Sequence, residues 1–140
     1  MSIIQLDFKG YYSEDKLPLS LQSSGIYIVY SGKKTGEKEC KLSRLLYVGE
    51  SKNVSSRVGT EHEKYSEWIA YLDDDEILYF SFAEILSTNR ERAEAALIFY
   101  HQPLCNEQNK ETFDYSTTRI KTSGRNALLS NDFTVPDEDD

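Results

Sequence analysis

The run EILYFSFAEI, residues 76–85, is nearly continuous in apolar side chains through Phe82 and rich in residues that favour extended backbone. A short apolar run of this kind reads as an internal strand covered on both faces. Two further runs have the same character: SSGIYIVY at residues 23–30, and Leu45 to Val48. The segment SGKKTGEKECKLS between them holds two glycines and four lysines, and reads as a long polar turn or hairpin tip. Two adjacent antiparallel strands and a third, internal strand are the simplest arrangement.

Helical signals fill the remaining space. Val54 and Val58 stand i,i+4 with Arg57 beside the second, which predicts one or two helical turns. In EKYSEWIAYL, residues 63–72, Tyr65, Trp68, Ile69 and Leu72 recur at helical spacing up to the acidic run DDDE, which reads as an exposed turn. Thr88 and Glu91 have the form of a capping box, predicting a helix that continues until Pro103. On that helix Ala93, Ala96, Leu97 and Tyr100 share a sheet-facing side, with Glu94 at its boundary. Residues 1–24 read as a lead-in loop around Pro18, and TFDYSTTRI as an edge strand.

The length of 140 residues suits one domain, taken as residues 1–135 with a family-like core at 23–107 and an acidic tail at 136–140. No window approaches 18 consecutive apolar residues, and MSIIQLDFKG has neither a basic leader nor an apolar signal core. A cytoplasmic protein with no membrane partner is expected. Cys40 and Cys105 are far apart and outside any CxxC, so free thiols are expected.

The net charge of -8 argues at first against a phosphate-binding protein. Its distribution changes that argument, since residues 1–60 hold nine basic and six acidic side chains. The clusters Asp73 to Glu76 and Asp137 to Asp140 contain eight acids, equal to the whole net charge. The rest of the chain is neutral overall and leaves room for a local positive surface.

Tyr27 and Tyr47 occupy corresponding places in the two neighbouring strands, Arg57 follows by a turn, and Glu94 comes from the capped helix. Phosphodiester hydrolysis needs a proton acceptor for water, a cation near the non-bridging oxygens and stabilisation of the leaving oxygen. Tyrosine, arginine and a carboxylate-bound Mg²⁺ supply these parts. A tyrosine with an ordinary pKa of about 10 is a poor base, so the assignment requires a metal, arginine or lysine beside it.

GIY at residues 25–27, YVG at 47–49, SSRV at 55–58, EAALI at 94–98 and PLCN at 103–106 together resemble the GIY-YIG nuclease family. The resemblance covers residues 23–107 and implies an α+β fold with a central three-stranded antiparallel sheet flanked by helices. It implies Glu94 as the ligand of one Mg²⁺ or Mn²⁺, with Tyr27, Tyr47 and Arg57 around the scissile phosphate. One tyrosine serves as general base, without a choice between the two. Asn106 becomes the residue tying the post-helix segment to the site, with His62 and Lys52 as second-tier candidates. Glu50 stands where several relatives carry Lys, which lowers the expected phosphate attraction.

Lys33, Lys34, Lys38 and Lys41 are candidates for nucleic-acid backbone contacts, or else residues of an ordinary soluble loop. Gly25 and Gly49 are read as backbone-geometry positions where the chain enters and leaves a strand. The expected function is a metal-dependent DNA endonuclease, acting as a homodimer or with a protein partner that supplies targeting. The alternative is a catalytically weak or inactive relative serving as a binding or regulatory module.

Overall fold

Ile4, Leu6 and Phe8 alternate with Gln5, Asp7 and Lys9, and this period of two puts every second side chain on one face of an extended chain. In the computed structural model, which describes residues 2–18, 23–54 and 61–138, this segment is β1, Ser2–Ser13. From Ile3 to Lys9 its even positions are buried and its odd positions exposed, the pattern of a strand with one solvated face. A single 3₁₀ turn, Glu14–Lys16, follows. Next come β2, Gly25–Gly36; β3, Glu39–Ser51; α1, Tyr65–Ala70; and β4, Ile77–Glu84. The chain continues through α2, Ser87–His101; β5, Thr118–Gly124; and β6, Asp132–Val135.

The six strands form one sheet in the order β3-β2-β4-β1-β5-β6. It curls into a half-barrel and is mixed, because β1 runs parallel to β5 while the other neighbours are antiparallel. This corrects the expectation of a three-stranded antiparallel sheet flanked by helices. β1 is no lead-in loop but an interior strand, paired from Ser2 to Phe8 with Thr118 to Gly124. β5 is likewise interior, and the edge position falls to β6. The supposed tail is held in part: Phe113 N–H donates to Glu138 Oε1 at 2.7 Å and Asp137 N–H to Thr117 Oγ1 at 3.0 Å.

Each sheet face has its own core. Ile26, Ile28, Tyr30, Val48, Ile4, Leu6 and Phe8 pack with Ala93, Ala96, Leu97 and Ile98 of α2 on one face. Tyr27, Val29, Leu46, Phe80 and Phe82 pack with Trp68 of α1 on the other. β2 and β4 are therefore covered on both sides, and Leu78 to Ala83 are all buried. The Thr88–Glu91 capping box does not form, since α2 starts at Ser87 after Leu86 with no side-chain cap. The helix stops where Gln102 turns left-handed, φ 52°, and donates its N–H to Ile98 O at 2.8 Å just before Pro103. Tyr100, expected to face the sheet, is 50% exposed.

Of the long polar turn or hairpin tip read at residues 31–43, the structure shows the hairpin, with strands that extend through most of the segment. β2 and β3 run on to a two-residue turn at Glu37 and Lys38. The acidic run also differs in part from an exposed turn, because Glu76 is buried. It accepts from the Ser43 hydroxyl and from Asp73 N–H, and Arg44 Nη1 lies 3.4 Å away. Burial pushes the Glu76 carboxyl up, but these three partners outweigh it and hold it below the usual carboxylate range.

Candidate functional site

Antiparallel register sets Tyr27 of β2 directly opposite Gly49 of β3. A methyl group at position 49 would lie 2.2 Å from Tyr27 Cζ and 2.3 Å from its hydroxyl oxygen. The tyrosine ring therefore occupies the space that any larger residue at 49 would fill. Gly25 meets a similar limit, as its Cβ would come within 2.7 Å of the Ala83 carbonyl oxygen. Both glycines permit close approach from within a strand, a more specific reason than entry into or exit from one.

Over this close contact sits an aromatic cluster. Tyr27 is 1% exposed and its hydroxyl lies 2.8 Å from His62 Nε2. The second ring nitrogen, Nδ1, accepts the Lys64 backbone N–H at 3.0 Å. A neutral imidazole that accepts at Nδ1 carries its proton on Nε2, so His62 donates to the Tyr27 oxygen. Tyr47 stacks on Tyr27 with ring centroids 6.1 Å apart and meets His62 edge-on at 5.3 Å. Trp68 closes the group, 4.5 Å from His62 and 5.5 Å from Tyr47. Its Nε1–H is buried with no acceptor among the described residues. Tyr47 is half-buried, and so more open to solvent than Tyr27 or His62.

Asn106 braces β3 from its outer edge. Its side-chain oxygen accepts Val48 N–H at 2.9 Å and its amide donates to Val48 O at 2.9 Å, as a neighbouring strand would. Cys105 N–H adds a bond to Leu46 O at 2.8 Å. The segment after α2 thus covers an edge that would otherwise expose unpaired backbone. Burial pushes the Cys105 thiol up to about 11, with Glu67 adding to the shift.

Glu94 is half-buried on α2, the helix that packs on the Ile26 and Ile28 face, whereas Tyr27 points to the other. Burial, and then the carboxylates of Glu91, Glu94 and Asp114, push the Tyr115 hydroxyl up, which sets Glu94 within electrostatic reach of Tyr115. One turn before Glu94, Arg90 is buried, pairs with Glu50 and donates to Ser24 Oγ at 2.9 Å. The unfavourable charge read at Glu50 therefore has its counter-ion, a partner signalled only by an arginine one helical turn from Glu94.

Among the described residues no three His, Cys, Asp or Glu side chains form a metal cluster. Mg²⁺ takes one or two carboxylates and keeps several waters, so a lone half-buried carboxylate such as Glu94 suits it as a hard oxygen donor.

The remaining candidates divide. Lys52 is exposed just beyond β3. Lys33 pairs with Asp75 at 3.0 Å, and Lys34, Lys38 and Lys41 lie exposed toward the far end of the hairpin. Arg57, with its SSRV motif and the helical turns expected there, lies outside the described residues. Tyr27, Tyr47, His62 and Gly49 are thus gathered at one place, with Asn106 bracing the strand beneath. The sequence ranks His62 second and marks Trp68 only as part of the apolar spacing of residues 63–72. A histidine eleven residues after Ser51 at the end of β3, followed by a Trp-bearing helix, was the available signal.

No helix among the described residues is long and apolar enough to cross a membrane. Comparison with family models, with curated proteins and with solved structures finds no match to this chain.

Proposed function

We propose that the protein hydrolyses phosphodiester bonds in DNA with Mg²⁺ or Mn²⁺, using the tyrosine–histidine cluster at the start of the β2–β3 hairpin. The observation that carries this reading is the Tyr27 hydroxyl oxygen held 2.8 Å from His62 Nε2, with Tyr47 stacked alongside. That bond fixes the Tyr27 ring, and the stack on it fixes Tyr47 in turn, so that the more accessible hydroxyl is held in one place for proton transfer.

In this reading Tyr47, the more accessible of the pair, accepts the proton of the attacking water. Tyr27 and His62 hold its ring in place through the stack and the edge contacts. Arg57 offers a guanidinium to the non-bridging oxygens, a bidentate match to phosphate. Glu94, on the helix that covers the opposite face of the sheet from Tyr27, would hold the metal ion, which when bound supplies positive charge for the phosphodiester backbone rather than contact with the tyrosines. Glu50 does not oppose the substrate, because Arg90 neutralises it.

A non-catalytic reading has one observation in its favour. Tyr27 and His62 are only 1% and 5% exposed, which also suits a structural aromatic core. Cleavage of labelled single-stranded, duplex and branched DNA with Mg²⁺, Mn²⁺ or EDTA separates the two. Metal-dependent cutting by the wild type that falls 100-fold or more in Tyr47→Phe and Glu94→Ala, each folded by circular dichroism, is the expected result. A folded wild type that cuts none of these substrates in either metal would overturn the proposal in favour of the binding module.

A further inference from the structure

Lys33, Lys64, Arg44, Arg90 and Arg119 make ion pairs. Ten other lysines and arginines make none among the described residues, and four of these, Lys16, Lys34, Lys38 and Arg125, line one cleft of about 740 Å³ between the hairpin tip and β1. Its walls also hold Tyr11, Tyr12 and Tyr79, of which Tyr11 and Tyr79 pack on this face of the sheet while the Tyr12 ring lies against Phe82 on the other. Arg125 lies over the Tyr11 ring at 5.8 Å, and Tyr11 is fixed by the Ala127 N–H, which donates to its hydroxyl at 3.0 Å.

Three acids, Asp15, Glu37 and Glu39, share the cleft, leaving it one positive charge in surplus in a chain whose net charge is -8. Asp15 is already engaged by the Ser13 hydroxyl at 2.6 Å. The volume falls within the usual range for small-molecule sites, roughly 300–1,000 Å³. Aromatic rings beside unpaired cations suit a flat base joined to a phosphate, the pairing that single-stranded nucleic-acid sites also use.

We infer that this cleft binds a nucleotide unit, base and phosphate together, either free or within a single strand. Lys34, Lys38, Lys16 and Arg125 meet the phosphate while Tyr11 receives the base. The cleft is separate from the tyrosine–histidine cluster: Tyr27 and Lys34 are seven residues apart on β2, on the order of 20 Å. The inference therefore does not rest on cleavage at Tyr47.

The test is fluorescence anisotropy of 5′-fluorescein-labelled oligo(dT) of eight residues at low salt, with AMP and inorganic phosphate as competitors. Binding that weakens at least tenfold in the Lys34→Glu/Arg125→Glu variant is expected, while Lys9→Glu/Lys121→Glu, the same charge change outside the cleft, stays within twofold. All four substituted side chains are exposed, so the variants keep the fold. Competition by AMP shows that a free nucleotide suffices, and binding of the strand alone assigns the cleft to nucleic acid; both support the inference. No binding by the wild type, equal binding by the Lys34→Glu/Arg125→Glu variant, or phosphate competing as well as AMP would overturn it.

Discussion

Replacing Gly49 by alanine tests the close contact on which the cluster is built. The new methyl carbon would sit 2.2 to 2.6 Å from three atoms of the Tyr27 phenol. Ordinary carbon contacts are about 3.5–4.0 Å, so the ring must move by roughly 1 Å or more. Tyr27 is 1% exposed and bonded to His62, which leaves it no free space to enter. Overpacking of this kind costs about 1–3 kcal/mol. A ring displaced from His62 also leaves a buried donor unpaired, a further cost of about 1–3 kcal/mol. The sum, roughly 2–6 kcal/mol, is a large share of a domain's ~5–15 kcal/mol. At about 4 °C per kcal/mol for a chain of this size, Tm falls by roughly 8–24 °C.

Urea unfolding followed by the fluorescence of Trp68, the single tryptophan, reads this directly because its ring lies 4.5 Å from His62. The decisive comparison is Gly49→Ala in a Tyr27→Leu background, where the ring over position 49 is gone. There the substitution should cost under about 1 kcal/mol, since alanine itself suits a strand no worse than glycine. An unchanged Gly49→Ala protein, or an equal penalty in both backgrounds, would refute the argument.

Two further outcomes follow from the bracing contacts. Asn106→Ala removes both bonds to Val48 and leaves a buried N–H and C=O on an edge strand, so it should lower urea stability by about 2–4 kcal/mol. Asn106→Asp keeps an acceptor for Val48 N–H but loses the donor to Val48 O, and should fall between alanine and the wild type. His101 lies between Leu97 O, which accepts from Nδ1, and Ser130 N–H, which donates to Nε2 at 2.9 Å. Burial holds it below its ordinary value of 6.5, only partly opposed by the Leu97 bond. The unfolded chain therefore takes up this proton first as pH falls, and stability rises with pH in that interval. The His101 contribution should be complete above about pH 6.5 and decline as pH drops through the folded-state value, a slope that His101→Gln should lack in urea midpoints measured from pH 7.5 to 5.

Much of the local architecture is legible in the chain. The apolar run ending at Phe82 marks an interior strand, because unbroken apolarity requires cover on both faces, and SSGIYIVY marks its antiparallel neighbour, with the run to Val48 in the strand beyond. The helix from Ser87 is legible from its end before Pro103 and the shared face of Ala93, Ala96 and Leu97, although its expected cap is not used. β1 was also visible, in the alternation Ile4, Leu6, Phe8 against Gln5, Asp7, Lys9, but the nearby Pro18 and polar residues drew the reading toward a loop. For the candidate site, Tyr27, Tyr47 and Asn106 stand out by motif and His62 by position.

By itself, then, the sequence determined which segments extend, which coil, and which faces must be covered. Those properties follow from the spacing of apolar side chains within a few residues. Tertiary structure alone decided that β1 lies between β4 and β5, since pairing Ser2 with Thr118 depends on contacts across nearly the whole chain. It also decided that Gly49 receives the Tyr27 ring, that His62 donates to that tyrosine, and that Arg90 neutralises Glu50. The same holds for the cleft at Lys34 and Arg125, whose residues come from both ends of the chain. Each of these depends on register and on which distant segments meet, and local periodicity carries neither.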